Sequence, residues 1–209
     1  MGAESKEGSP SVLMVISAPS GAGKTTLAKA LLGRYEDMRI CVSHTTRPPR
    51  TGDVHGQDYY FLSPEAFDQM VLQNAFLEWA HVHDQRYGTS HAELARLREQ
   101  GFSVLFDVDY QGGISIMKDY PDAVSVFILP PSLDELDRRI RKRASDSAEI
   151  IERRLESAKI EMTQYPHYQY AIVNDDLESA IDAIESIYRA EKQKTERMKS
   201  RIEPIVPKG

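Results

Sequence analysis

Val12-Leu13-Met14-Val15-Ile16-Ser17-Ala18-Pro19-Ser20-Gly21-Ala22-Gly23-Lys24-Thr25-Thr26-Leu27 decides how the rest of the chain is read. Its apolar start reads as a buried strand, its centre as a glycine-bearing loop, and its end as the first turn of a helix. Gly21 and Gly23 admit backbone conformations that a Cβ forbids. The loop can therefore turn its N–H groups inward around a phosphate. A helix beginning near Lys24 adds unpaired N–H groups and the positive end of its dipole. Lys24 brings a mobile charge, and the Thr25 hydroxyl is placed for a magnesium ion. The pattern G-x-x-x-x-G-K-[ST] is met except at its first position, where Ala18 stands. Strand before and helix after are the context such a loop requires, which argues against a chance match. Ala18, Pro19, Ser20, Gly21, Ala22, Gly23, Lys24, Thr25 and Thr26 are thus the candidate triphosphate cradle, with Thr25 as the Mg²⁺ ligand.

Outward from this loop, the pattern alternates strands with helices. Leu27, Leu31 and Leu32 share one helical face, so the first helix should run to about Tyr35. Ile40-Cys41-Val42 is a short strand candidate, and Ser103 to Asp109, Ala123 to Leu129 and Ala171 to Val173 are further ones. A helix from about Ala92 should stop at Gly101. Ser132-Leu133-Asp134-Glu135 matches a capping box and opens a charged helix through Arg143, followed by another from about Ser147 to Thr163. Leu177, Ala180, Ile181, Ile184, Ile187 and Tyr188 form the apolar stripe of a closing helix. Strand–helix alternation implies an α/β fold with a mostly parallel sheet covered on both faces.

The stretch from Ser43 to about His91 breaks the alternation and reads as an inserted lobe. Pro48 and Pro49 hold its beginning extended. Tyr59 to Leu62 returns to a strand, and Ser63-Pro64 starts a helix whose buried face would be Phe67, Met70 and Val71. Phe76 to Ala80 and His81-Val82 read as strand pieces, followed by a loop through Asp84 to Thr89. Trp79 is expected in the core. The chain after about Ala190 reads as a solvated polar tail.

At 209 residues the chain suits one α/β domain with insertions. A formal net charge of −6 does not suggest a nucleic-acid binder. The single cysteine, Cys41, excludes an internal disulfide and fits a reducing cytosol. Residues 1–10 are polar, read as a flexible segment and lack the apolar core of a signal peptide. No apolar run reaches membrane-spanning length. These features point to a soluble, cytoplasmic protein with no membrane partner; a homo-oligomer is left open.

Arg47 and Arg50, three apart and near Tyr59, suit a phosphate monoester held by fork-like donors, although lone surface arginines are commoner. Thr45-Thr46-Arg47-Pro48-Pro49-Arg50-Thr51-Gly52-Asp53-Val54-His55-Gly56-Gln57-Asp58-Tyr59-Tyr60-Phe61-Leu62 resembles the guanylate kinase signature. The resemblance continues through Phe76-Leu77-Glu78-Trp79-Ala80, Tyr87-Gly88-Thr89, Asp107-Val108-Asp109-Tyr110-Gln111-Gly112 and Val173-Asn174-Asp175-Asp176, and spans about Val12 to Ala190. It implies a P-loop NTPase-type sheet with three parts: a core (11–42, 92–132 and 166–190), a GMP-binding lobe (43–91) and a helical lid (133–165), leaving a tail at 191–209. It also implies transfer of the γ-phosphoryl of ATP to GMP, and to dGMP, with Mg²⁺.

The resemblance carries roles onto particular positions. Arg47, Arg50, Tyr59 and Tyr87 match the clamp on the GMP phosphate. Glu78 matches the guanine reader, whose carboxylate accepts from N1–H and the 2-amino group; spacing alone would make it a strand-edge carboxylate facing water. Ser43 and Thr89 would donate to guanine O6. Asp107 is implied near the magnesium shell and acceptor phosphate, and Asp109 near the guanine or loop network. Arg143 and Arg154 match lid arginines, diluted on spacing by Arg138, Arg139, Arg141 and Arg153. Ala144 stands where many relatives have glycine. Asn174 matches a residue near the ATP base. Alternatives from other classes are a non-catalytic phosphopeptide-binding module and a sugar-phosphate kinase. The former generally lacks the loop lysine or lid arginines, and the latter has no use for a guanine-reading set. His44, His55, His81, His83, His91 and His167 form no convincing metal site and read as structural or exposed.

Overall fold

The computed structural model describes residues 11–82, 84–143 and 148–207, with the side chain of Arg143 also outside the description. The N-terminal segment, His83, residues 144–147, where the resemblance implied a lid hinge at Ala144, and residues 208 and 209 therefore lie outside the described residues. The core sheet is built from β1 (Leu13–Ser17), β2 (Met38–Ile40), β7 (Ser103–Asp107), β8 (Val124–Leu129) and β9 (Tyr170–Val173). Its order is β2-β7-β1-β8-β9, parallel throughout.

Side chains alternate across the sheet with the two-residue period of a strand. Met14 and Ile16 face one layer, where α1 (Lys24–Arg34) and α7 (Leu177–Lys192) supply Leu27, Leu31, Ile181, Ile184 and Tyr188. Leu13 and Val15 face the other, against Leu94 and Leu97 of α3 (His91–Glu99) and Ile116 of α4 (Tyr110–Asp119). Burial on both faces is why these strands read as continuous apolar runs.

The inserted lobe has its own four-stranded sheet, ordered β4-β3-β6-β5, from β3 (His44–Thr45), β4 (Tyr60–Phe61), β5 (Phe76–Val82) and β6 (Gln85–Ser90). Helix α2 (Pro64–Leu72) packs on it through Phe67, stacked on Phe76 at 4.6 Å. Ser63 caps α2 by accepting from the Ala66 N–H at 3.2 Å. Helices α5 (Leu133–Arg143) and α6 (Ala148–Met162) pair through Leu136, Ile140, Ile151 and Ala158. A short 3₁₀ turn (Tyr165–His167) and α8 (Thr195–Ile202) complete the described elements.

Several local expectations are corrected. The second strand is Met38–Ile40, not Ile40–Val42, because Ser103 to Leu105 of β7 pair with residues 38 to 40. The expected loop from Asp84 to Thr89 is mostly β6, hydrogen-bonded to β5 on one side and β3 on the other. Gly88 permits that pairing, since a Cβ there would stand 3.0 Å from Phe76 and 3.0 Å from Trp79. Helix α4 carries no clear pattern in the sequence, as it holds Gly112 and Gly113. Each glycine costs about 1 kcal/mol relative to alanine. Full burial of Ile116, a side chain of a type that gains about 1.5–3 kcal/mol when buried, together with the Asp109 N-cap, offsets that.

Trp79 is 43% exposed rather than buried, because alternation along β5 turns Glu78 inward and Trp79 outward. Leu177, at the start of its stripe, is likewise exposed. The chain beyond Ala190 is solvated as expected but helical: among its described residues Glu191, in the last turn of α7, is the buried one, accepting from the Tyr170 hydroxyl at 2.7 Å and pairing with Lys194 at 2.9 Å. Arg197 of α8 donates to the Asp122 carbonyl at 2.7 Å, while no residue of α8 is buried.

Candidate active site

The C-terminal ends of parallel strands collect the chemistry, as open α/β sheets require. From β1 the chain enters the loop 18–23, where Gly21 and Gly23 take φ of 93° and 100°. The Ala22 N–H donates to the Pro19 carbonyl at 3.1 Å, and Gly23 begins α1. Thr25 and Thr26 are exposed at the first turn of that helix. Beyond β9, Asn174 is 5% exposed and donates its amide to the Ala22 carbonyl at 2.7 Å. A Cβ on Gly23 would collide with that amide. Asn174 thus buttresses the loop from beneath, a contact the sequence does not disclose.

Lys24 joins the loop to the next strand end. Its Nζ lies 2.7 Å from Asp107 Oδ1 and donates to the Val108 carbonyl at 2.6 Å. The two carboxylates after β7 have different partners. Asp107 faces Lys24, whereas Asp109 accepts from the Gly112 N–H at 2.8 Å and caps α4. The Ser17 hydroxyl donates to the Asp109 carbonyl at 3.1 Å, tying this cap to β1.

A cavity of about 250 Å³ opens beside Asp107 and Asp109, its far wall formed by Ser43, Tyr59, Glu78 and Tyr87 of the lobe. Burial pushes the Glu78 carboxyl up to about 7, against hydrogen bonding from Thr89, which favours the charged form. Thr89 is fully buried, with Oγ1 3.4 Å from Ser43 Oγ. Tyr59 and Tyr87 stand ring to ring at 5.8 Å, and burial together with the neighbouring Tyr87 and Asp107 raises the Tyr59 phenol.

Arg47 lies 5.3 Å over the Tyr59 ring and donates to Asp53 Oδ2 at 2.8 Å. The same oxygen accepts from the Arg50 backbone N–H at 2.8 Å. These two bonds hold the Asp53 carboxyl below its ordinary range. The Arg50 side chain is exposed. Asp53 was legible as the acidic residue of the guanylate kinase signature; its part in organising both arginines needs the folded turn.

On the lid side, Arg154 reaches from α6 to donate to Ser20 Oγ at 2.8 Å. Neighbouring cations pair along their own helices, Arg138 and Arg139 with Glu135, Arg141 with Asp137, and Arg153 with Glu149, and Arg139 also donates to the Asn174 carbonyl at 3.1 Å. The two arginines hold the Glu135 carboxyl down at about 2. Glu161, also on α6, is raised by burial while the Ser20 N–H favours its charged form. The lid helix thus meets the loop at Ser20 with a cation and an acid, the latter a residue that sequence reading missed. Among the described residues no group of three metal-ligating side chains occurs. His44 is buried against Tyr60 at 4.7 Å, and burial lowers its pKa. No described helix is long and apolar enough to cross a membrane.

A parallel sheet, a glycine loop with Lys24 at its exit, an inserted lobe whose cavity is edged by carboxylates, and a helical pair beside the loop define the P-loop kinases that act on nucleoside monophosphates. The guanylate kinase family model matches residues 11–191, and the chain belongs to the guanylate kinase family. It is 49% identical to the guanylate kinase of Syntrophotalea carbinolica over 189 residues, covering 90% of each chain. It is 44% identical to that of Escherichia coli K12 over 198 residues, covering 94% of this chain and 96% of that one. A crystal structure of guanylate kinase from Anaplasma phagocytophilum superposes with a TM-score of 0.73 at 34% identity, covering 93% of this chain and 92% of that one.

Proposed function

We propose that this chain's guanylate kinase activity runs in the cleft where the loop 18–25, the β7 end and the lobe meet. The chain transfers the γ-phosphoryl of ATP to GMP, giving ADP and GDP. The observation that carries the site assignment is Asp107, which pairs with Lys24 and also lines the cavity beside Glu78. One carboxylate thereby connects the triphosphate loop to the acceptor pocket.

In this reading guanine enters the lobe cavity. Glu78 accepts from N1–H and the 2-amino group, while Ser43 and Thr89 donate to O6. Arg47, Arg50, Tyr59 and Tyr87 clamp the GMP phosphate, with Asp107 and Asp109 at the cavity mouth. The backbone N–H groups of residues 18–25 cradle the ATP phosphates, Lys24 follows the γ-phosphoryl group, and Asn174 holds the loop on the side of the ATP base. Arg154 brings lid charge to the junction, and the family resemblance implies the same role for Arg143. The attacking phosphate oxygen has a second pKa of about 6 and needs little proton abstraction near neutrality. Alignment and charge neutralisation therefore dominate the chemistry.

Magnesium is bound through one or two protein oxygens plus phosphates and waters rather than by an all-protein cage. The exposed Thr25 hydroxyl, with the Asp107 carboxylate beside Lys24, is a donor set that fits. Those groups would hold Mg²⁺, which when bound neutralises phosphate charge. We further infer a cytoplasmic enzyme acting on dGMP as well as GMP.

Coupled ADP release should be followed with GMP, dGMP, AMP, CMP, UMP and ribose phosphates as acceptors. Turnover is expected with GMP and dGMP. Turnover confined to AMP or a sugar phosphate would overturn the pocket assignment. The relatives' activity, with Lys24 and Arg154 both at the loop, sets aside a non-catalytic phosphopeptide module.

A further inference from the structure

We propose that Gly112 sets where the Glu78 carboxylate stands, and is thereby a specificity-determining positioning residue for guanine. This rests on the reading of Glu78 as the guanine acceptor. Gly112 lies in the first turn of α4, a right-handed helical position that any residue could adopt. A Cβ built there would stand 2.7 Å from Glu78 Oε2 and 3.1 Å from Glu78 Cδ. Its next neighbour, Val108 Cβ, is at 3.4 Å, where ordinary contact begins. The collision is therefore with the carboxylate alone, and about 0.7 Å of displacement would relieve it.

Alanine would favour the helix by about 1 kcal/mol, so backbone preference does not call for glycine at this position. What glycine provides is a flat stretch of backbone on which the acid can lie. The pairing register of β5 shifts between Phe76 and Glu78, and α4 packs against this strand. Thr89, opposite Glu78 in the ladder, holds the carboxylate on the strand side. The acid is thus held between Thr89 and the bare turn at Gly112, which sets the depth of the pocket floor.

Gly113 serves as an internal comparison. A Cβ there would stand 2.8 Å from Ser17 Oγ and would also press on the Tyr168 hydroxyl, with no contact to Glu78 among its nearest atoms. Adjacent helix glycines therefore make room for different neighbours, and only the first bears on the guanine pocket.

The test is steady-state kinetics of the full chain with GMP and with inosine 5′-monophosphate, which keeps N1–H but lacks the 2-amino group. Gly112→Ala is expected to raise KM for GMP at least tenfold. It should lower the preference for GMP over the inosine nucleotide at least fivefold, with KM for ATP unchanged. Gly113→Ala should leave that preference in place. In a Glu78→Asp background the shorter acid withdraws from position 112, so the Gly112→Ala effect on KM should shrink at least threefold. Additive effects, or a wild-type KM and preference in Gly112→Ala, would overturn the proposal. Glu78→Gln separates the two layers: if it leaves the preference intact, the reading of Glu78 itself fails. Should Gly112→Ala not fold, the double variant Glu78→Ala/Gly112→Ala decides. Folding of the double variant identifies the carboxylate as the obstacle, and its failure overturns the proposal.

Discussion

Protonation of Glu78 should control GMP affinity around neutral pH. Burial places its carboxyl at about 7 instead of 4.5, and only the carboxylate can accept from both guanine donors. With a midpoint near 7, about a tenth of the molecules are competent at pH 6 and about nine-tenths at pH 8, so apparent affinity changes about tenfold across that interval. The GMP phosphate also titrates, with a second pKa of about 6, and must be subtracted. Calorimetric titration of GMP into wild type and Glu78→Gln at pH 6, 7 and 8 does this, because the phosphate contributes equally to both. The wild-type-to-variant affinity ratio is expected to rise about tenfold from pH 6 to 8. Parallel pH profiles for the two proteins would refute the reasoning.

Folding stability offers a second readout of the same group. Between 4.5 and 7 the folded protein holds a proton that the unfolded chain has released, so this group's contribution to stability falls as pH rises through that window. The displacement corresponds to roughly 3 kcal/mol. Thermal denaturation should therefore find Glu78→Gln gaining on wild type from pH 5 to pH 8.

Two further outcomes are expected. Lys24→Ala removes the cation held at 2.7 Å from Asp107 and should lower kcat by about 10²–10³ or more while calorimetry finds GMP binding nearly intact; an unchanged kcat would contradict its role. Asp53→Ala frees Arg47 and loosens the Arg50 turn, so KM for GMP should rise severalfold with kcat held, and Asp53→Asn should recover part of the loss because its carbonyl still accepts; equal loss in both variants would show that no acceptor oxygen is needed there.

Legibility followed the range of the interaction. The loop after β1 was readable because its strand, its glycines, Lys24 and Thr25 are all local in the chain. The strongly periodic α7 and capped starts such as Ser63-Pro64 were readable for the same reason. Helix α4 was not, since Gly112 and Gly113 suppress the helical signal and burial of Ile116 with the Asp109 cap restores it. Strand β6 was not, since its polar Gln85-Arg86-Tyr87-Gly88-Thr89 run becomes a strand through hydrogen bonds to β3 and β5.

By itself, then, the chain's sequence determined the alternating α/β plan, the phosphate loop and, through motif resemblance, the family and its nucleotide substrates. Tertiary structure alone decided that Asp107 meets Lys24, that Arg154 and not its helix neighbours reaches Ser20, that Asn174 underpins the loop, and that Glu78 lies against bare backbone at Gly112. Periodicity and turn chemistry act over a few residues and are written in order along the chain. A site assembled from strand ends, a loop and a helix some 80 to 150 residues apart depends on which segments the packed fold brings within hydrogen-bonding distance.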